Sequence, residues 1–387
     1  IYKYNYMINI LRINRNLTET QKLVVESVKS FCKAELKPRI IKDYKDEVVD
    51  KNIFKKFGEM GIFAPTIKGY GCLGDSYKTY GLIAKEIEAV DSGYRSMFSV
   101  QSSLVMGPIY DYGNKTLKEK YLPKLSSGEY VGCFGLTEPD FGSDPSSMRT
   151  KAIKCNDHYI LNGNKTWISN SPIADVFVVW AKQDEQVKGF ILDRSMEGIT
   201  TPKIEGKMSL RASVTGMINL YDVKVPIENV LDITGMRGPF SCLNNARLGI
   251  SFGVLGSAEY CIEKSIEYSL NRKMFGQSLA EKQLLQMKLA NMSTEYNLAL
   301  LSCLHVADNV DKKQFTPEMI SLIKRNSCQK SLEIVRTCRD IFGGNGISEE
   351  YEIFRHLCNL ETVNTYEGTF DIHSLILGNY LTEKKAF

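Results

Sequence analysis

The hydrophobic period changes twice along the chain, and that order constrains the fold more than any single motif. From Thr18 apolar residues recur at helical spacing. Near Gly128 the pattern changes to short strands with turn residues between them, and it holds through Ile227. From Pro239 to the end the helical period returns. A run of strands between two helical blocks predicts an α+β chain: a helical domain over 1–130, a β domain over 131–237 and a helical domain over 238–387.

Thr18 and Gln21 have capping-box spacing ahead of Leu23, Val24, Val28 and Phe31, and Pro38 stops that run. Further helices are expected over 52–60, 77–90, 99–110 and 115–122. Gly69-Tyr70-Gly71-Cys72-Leu73-Gly74 matches GxGxxG by letter, but no strand precedes it, so it reads as a tight loop. In the middle block, strands are expected over 159–161, 165–168, 176–180, 189–192 and 217–220. Asn162-Gly163 reads there as a hairpin turn. The last block predicts helices over 243–270, 279–306, 317–342 and 371–381. Gly249, Gly253 and Gly256 are spaced for close helix packing.

The 387 residues allow a large core and two or three domains. A net charge of +4 with no long basic run argues against nucleic acid as a partner. Ten cysteines without a CxxC pair, and only four histidines, argue against a metal site and a disulfide framework. No apolar run is long enough to span a membrane. The first eighteen residues carry Lys3, Arg12 and Arg15 and no acid, which suits equally an organellar transit segment or a disordered basic leader.

The chemistry-bearing stretches are far apart. Asn364-Thr365-Tyr366-Glu367-Gly368-Thr369 lies between a helical run ending near Leu360 and one starting near Asp371. Glu367 there is either a carboxylate facing a cleft or a solvated loop residue, with Asp371 as an ordinary N-cap. Phe134-Gly135-Leu136-Thr137-Glu138-Pro139, then Gly142-Ser143-Asp144, offers backbone amides and hydroxyls to a planar heterocycle. Trp167-Ile168-Ser169 supplies an aromatic ring beside a hydroxyl, or simply a core tryptophan. Arg272, Phe275-Gly276 and Gln283 suit a pyrophosphate or adenosine. Asp340-Ile341-Phe342-Gly343-Gly344 reads either as a phosphate-approaching turn or as a helix C-cap.

Together these stretches resemble the acyl-CoA dehydrogenase family from about Thr18 to Phe387, and within it glutaryl-CoA dehydrogenases. The finer likeness rests on Val90-Asp91-Ser92-Gly93-Tyr94-Arg95-Ser96, Val100-Gln101-Ser102-Ser103-Leu104-Val105-Met106, Cys242-Leu243-Asn244-Asn245-Ala246-Arg247 and the Glu367 stretch. The resemblance implies FAD as cofactor. It makes Glu367 the base that removes the α-proton of an acyl-CoA while a hydride passes to the flavin. It places Phe134, Leu136, Thr137, Ser143, Trp167, Ile168 and Ser169 around the flavin ring. Arg272, Phe275, Gln283, Asp340, Phe342, Gly343, Gly344, Thr369 and Asp371 would meet the rest of FAD, some from a neighbouring subunit of a homotetramer. Arg95, with Glu88 nearby, would hold the distal carboxylate of glutaryl-CoA. Ser96 and Tyr366 would line the pocket, while Ser143, Asn244, Arg247 and Gly368 would touch the substrate. The backbone N–H of Glu367 would help polarise the thioester carbonyl.

The implied reaction is oxidation and decarboxylation of glutaryl-CoA to crotonyl-CoA and CO2, with electrons leaving to an electron-transfer flavoprotein. The implied compartment is the mitochondrial matrix in a eukaryote and the cytoplasm otherwise. Departures are Phe370 in place of a histidine, Ser169 in place of a threonine, and Met97-Phe98, which are bulkier than usual and expected to narrow the acyl pocket. Alternative readings are a short- or branched-chain acyl-CoA dehydrogenase, an oxidase, and a catalytically silent assembly subunit. A desolvated Arg95 facing an apolar tail would be poorly satisfied, which favours the glutaryl reading.

Overall fold

The computed structural model describes residues 8–386, so Lys3 of the basic leader lies outside them. From Ile8 the leader is docked: Ile8, Ile13 and Leu17 are buried, and Asn297 donates to the Ile8 carbonyl at 2.8 Å. The first helical block comprises α1 (Glu19–Phe31), α2 (Ile40–Asp46), α3 (Asn52–Glu59), α4 (Tyr77–Glu88), α5 (Ser92–Ser99), α6 (Gly107–Tyr112) and α7 (Lys115–Ser126). The capping box of Thr18 and Gln21 is formed in full.

The helix expected from 99 starts seven residues earlier, at Ser92, because the Asp91 carboxylate accepts from the Gly93 N–H at 2.7 Å and caps α5. A wider-wound turn, Val100–Met106, joins α5 to α6. Met97 and Phe98 are fully buried, and the Phe98 ring lies 5.3 Å from Tyr80 and 6.5 Å from Phe63. Their bulk is thus taken up in the helical core.

The middle block is a mixed sheet of β1 (Gly132–Gly135), β2 (Lys151–Lys154), β3 (His158–Ser169), β4 (Val176–Gln183), β5 (Gln186–Asp193), β6 (Ile199–Thr200), β7 (Thr215–Pro226) and β8 (Val230–Thr234). Strand order is β6-β7-β3-β2-β4-β5-β8, with β1 parallel to β4. Asn162-Gly163 is not a hairpin turn. The two strands expected on either side of it form one, β3, with a register shift between Leu161 and Gly163. Thr150 packs so closely there that a Cβ on residue 163 would lie 2.5 Å from its hydroxyl oxygen, which explains the glycine. Strand β1 escaped sequence reading because all four of its residues are buried, leaving no alternation.

The last block contains α8 (Arg237–Asn271), the small hairpin β9 (Lys273–Met274) and β10 (Gln277–Ser278), α9 (Gln283–Asp311), α10 (Pro317–Ile341), α11 (Ile353–Thr365) and α12 (Phe370–Thr382). The three spaced glycines of α8 all face α4. A Cβ would stand 2.6 Å from the Tyr80 ring at Gly249, 2.2 Å from the Glu88 carboxylate at Gly253 and 1.9 Å from the Lys85 carbonyl oxygen at Gly256. The last contact is with backbone, which cannot rotate away. Gly256→Ala should therefore destabilise the protein by about 2 kcal/mol or more, despite alanine's better helix propensity. Thermal denaturation followed by circular dichroism checks this, and a melting temperature at or above the parent's would contradict it.

Candidate active site

The turn between α11 and α12 is strained, and neighbouring helices hold it. Tyr366 is extended, Glu367 takes φ +53° and Gly368 takes φ +97°. Left-handed backbone at a glutamate costs about 1–3 kcal/mol and persists only where its surroundings fix it. Gly368 is needed twice over, since a Cβ there would also stand 2.7 Å from the His373 Nε2. Thr369, not Asp371, caps α12: its hydroxyl accepts from the Ile372 N–H at 3.1 Å, and Asp371 is exposed in the first turn. The helix expected to end near Leu360 runs on to Thr365.

Arg247 on α8 donates from Nε to the Glu367 carbonyl at 2.8 Å and from Nη1 to the Asn244 side chain at 3.2 Å. Glu367 as a residue is half-exposed, but its Oε2 is buried and has no hydrogen-bond partner in the protein. Burial raises the Glu367 pKa above that of an ordinary glutamate, while Arg247, Arg95 and Lys324 pull it back down. A buried, unpaired carboxylate oxygen with a raised pKa is poised to accept a proton.

Beside it lies a buried charge cluster. Arg95 is 1% exposed and Glu88 fully buried, and the Arg95 Nε donates to Glu88 Oε2 at 2.5 Å. Ser92 donates to the other Glu88 oxygen at 2.8 Å. Arg95 Nη2 donates to the Tyr366 hydroxyl, and Nη1 makes only a 3.4 Å contact with Ser99. A guanidinium carries five N–H donors, so this fork keeps donors to spare. Gly253 leaves the room that the Glu88–Arg95 pair occupies. Ser96 is buried on the same helix. Asp91 accepts from Arg355 and, at 2.8 Å, from Asn359, which ties the start of α5 to α11.

Two residues of this region were missed in the sequence. Lys324 on α10 is 1% exposed and donates to the carbonyls of Val363, Tyr366 and Gly368. Its signal was available: Ile320, Ile323, Lys324, Ser327 and Ser331 share one helical face, all buried. His373 on α12 is fully buried against the Glu367 backbone, and burial together with Arg247 and Lys324 lowers its pKa to about 3.

The β-block residues form a second group. Phe134, Leu136 and Ile168 are buried, Thr137 and Ser169 half-buried, and Ser143 exposed. The Thr166 N–H donates to the Thr137 carbonyl at 3.0 Å, joining the Thr137 loop to the Trp167 segment. Below that junction Lys165 donates to the Leu136 carbonyl at 3.0 Å and to Glu138 at 2.8 Å, both side chains buried. Trp167 is not core. A register shift between Lys165 and Ile168 and a φ of +59° turn it outward, 62% exposed.

The third group lies around the small hairpin and the glycine turn. Arg272 and Gln283 are exposed, and Phe275 is 90% exposed at the hairpin tip with φ +53°. Phe342, at the end of α10, is buried against Tyr268, ring centroids 4.3 Å apart. Gly343 and Gly344 beyond it are exposed with nothing within 4 Å of a would-be Cβ, and Asp340 pairs with Lys288. Among the described residues no hydrogen bond, ion pair or ring contact joins either group to Glu367. Phe370 lies beneath the Arg325 guanidinium, 3.9 Å from its ring centroid.

Among the described residues there is no metal-binding cluster of His, Cys, Asp and Glu, the cysteines are free, and no helix is long and apolar enough to cross a membrane. Fold and site define a class: a chain with a sheet between two helical blocks that presents a carboxylate with a buried, unpaired oxygen on a helix–helix turn. The chain belongs to the acyl-CoA dehydrogenase family. Models of that family's N-terminal, middle and C-terminal domains match residues 18–129, 133–223 and 234–381. It is similar to a glutaryl-CoA dehydrogenase of Mycobacterium smegmatis in complex with FADH2, with TM-score 0.96 and 42% identity over 98% of both chains. A short-chain specific acyl-CoA dehydrogenase of Megasphaera elsdenii is 32% identical, covering 95% of this chain and 99% of that one. A structure of the electron transferring flavoprotein of Acidaminococcus fermentans is 32% identical over 95% of this chain and 99% of that chain, with TM-score 0.92.

Proposed function

We propose that this FAD-dependent acyl-CoA dehydrogenase oxidises glutaryl-CoA and decarboxylates the product to crotonyl-CoA. The observation that carries this reading is the buried Arg95, bonded to Tyr366, the residue next to Glu367. A planar cation with free donors, buried beside the base, suits the second carboxylate of a dicarboxylic thioester. The 42% identity with the mycobacterial glutaryl-CoA dehydrogenase supports it.

In this reading Glu367 takes the α-proton, its unpaired Oε2 being the accepting atom. Bound FAD supplies the acceptor for the hydride leaving the β-carbon. The backbone N–H of Glu367 supports the thioester oxygen as charge develops there, and Asn244 and Arg247 hold the CoA arm. Loss of CO2 from the unsaturated product leaves an electron pair delocalised toward the thioester as a dienolate. Protonated Glu367 returns the proton, giving crotonyl-CoA.

The second and third groups fit the flavin dinucleotide: the outward ring of Trp167 gives an apolar cover, and exposed Gly343 and Gly344 let a phosphate approach the backbone. Electrons would leave to an electron-transfer flavoprotein, in keeping with the likeness to the Acidaminococcus structure.

One observation favours a second reading, a short-chain acyl-CoA dehydrogenase. Arg95 is already paired with Glu88, so an apolar acyl tail would not face a lone cation. With Glu88 as its partner, Arg95 is no longer poorly satisfied beside an apolar tail. Anaerobic titration of the holoenzyme with glutaryl-CoA and, separately, butyryl-CoA decides between the two. Flavin bleaching by glutaryl-CoA, with crotonyl-CoA and CO2 formed, is the expected result. Bleaching by butyryl-CoA alone would assign the short-chain activity.

A further inference from the structure

The turn that carries Glu367 is built from a conformation that it would not keep alone. Two consecutive residues, Glu367 and Gly368, have positive φ. The last carbonyls of α11 lack intrahelical partners, as at any helix C-terminus. Four carbonyls along this stretch are nevertheless bonded by cations from other helices. Lys324 takes Val363 at 3.2 Å, Tyr366 at 2.9 Å and Gly368 at 2.8 Å, and Arg247 takes Glu367 at 2.8 Å.

Lys324 thus spans the base, gripping the chain before it and after it. An ammonium has three donors, and here three carbonyls receive them. Burying a charged ammonium is costly unless its donors are all satisfied, and two of the three carbonyls here, Tyr366 and Gly368, lie beyond the end of α11. The arrangement makes sense as a clamp that fixes where the following carboxylate points.

We propose that Lys324 is a positioning residue for the base, its ammonium fixing the turn that aims the Glu367 carboxylate at the substrate. The inference rests on the reading of Glu367 as the base. It adds a residue that neither touches substrate nor exchanges a proton with it. Because the clamp acts on geometry, its loss should appear in the chemical step far more than in binding. A misplacement of about 1 Å can cost about a hundredfold in rate.

The test is anaerobic stopped-flow flavin reduction by whichever of glutaryl-CoA and butyryl-CoA reduces the parent holoenzyme. Lys324→Met, Lys324→Arg and Glu367→Gln are compared with the parent. Lys324→Met keeps the length and removes the donors. It should bind FAD, keep the substrate dissociation constant within about threefold, and lower the limiting reduction rate about a hundredfold. Lys324→Arg, which keeps donors in place, should recover at least about tenfold of that loss. A limiting rate for Lys324→Met within threefold of the parent, with Glu367→Gln inactive, overturns the proposal and leaves the base assignment standing. Parent-like reduction by Glu367→Gln overturns the base assignment itself, and this proposal with it. Should Lys324→Met fail to bind FAD, Lys324→Gln, which keeps part of the donor set, replaces it, and parent-like reduction by that variant overturns the proposal equally.

Discussion

Glu367→Gln is expected to bind FAD normally and to reduce it with acyl-CoA about a thousandfold more slowly than the parent, within the range seen when a general base is removed. The amide matches the carboxylate in size, and the turn is held through backbone carbonyls bonded to Arg247 and Lys324, so its shape should survive. What disappears is the proton acceptor. The pH dependence supplies a second signature. Burial places the Glu367 pKa above that of a free glutamate. Below this raised pKa the base is protonated and idle, so the parent's reduction rate should rise with pH through a midpoint above the ordinary glutamate range. The variant's residual rate should lack that step. Unchanged bleaching by Glu367→Gln would remove the base assignment.

The place of Glu367 on a turn between two helices was legible from a local signal, a carboxylate and a glycine between two helical periods, while its role as a base came only with the resemblance to the family. Its neighbours were harder to see. Lys324 meets carbonyls 39 to 44 positions away, and a lysine in a helical run reads by default as a solvated face. Only the buried company of Ile320 and Ile323 hinted otherwise. Glu88 and Arg95 are seven residues apart but sit on different helices, and the pair forms only because Gly253 on a third helix leaves space.

In the β block two misreadings share one cause. Asn162-Gly163 has the sequence of a hairpin turn, yet Gly163 is the place where Thr150 presses on a continuous strand. Trp167 suits either an aromatic cover for a ring or core by sequence, and the register shift between Lys165 and Ile168 turns it outward. Bulges are set by what packs across the sheet, so the period of a single strand does not reveal them. The order of helical and strand blocks was readable because a long-range pattern survives such local events.

Arg95→Ala is the second large effect, and it falls on selectivity. If the guanidinium holds a distal carboxylate, its removal takes away a buried, charge-assisted pair of hydrogen bonds of about 2–5 kcal/mol. At 1.4 kcal/mol per tenfold, kcat/KM for glutaryl-CoA should fall by a factor of about thirty to several thousand. Butyryl-CoA has no carboxylate to lose and should suffer only the indirect cost. That cost is real, since Glu88 would be left fully buried without its partner. The double variant Arg95→Met with Glu88→Gln removes both charges and isolates the direct contribution. Steady-state kinetics with both thioesters should show the ratio of glutaryl-CoA to butyryl-CoA activity collapsing in the single and the double variant alike. Equal losses on both substrates would show that Arg95 serves only to balance Glu88. A butyryl-CoA activity raised in the double variant would instead show that the charge pair itself had been excluding apolar tails.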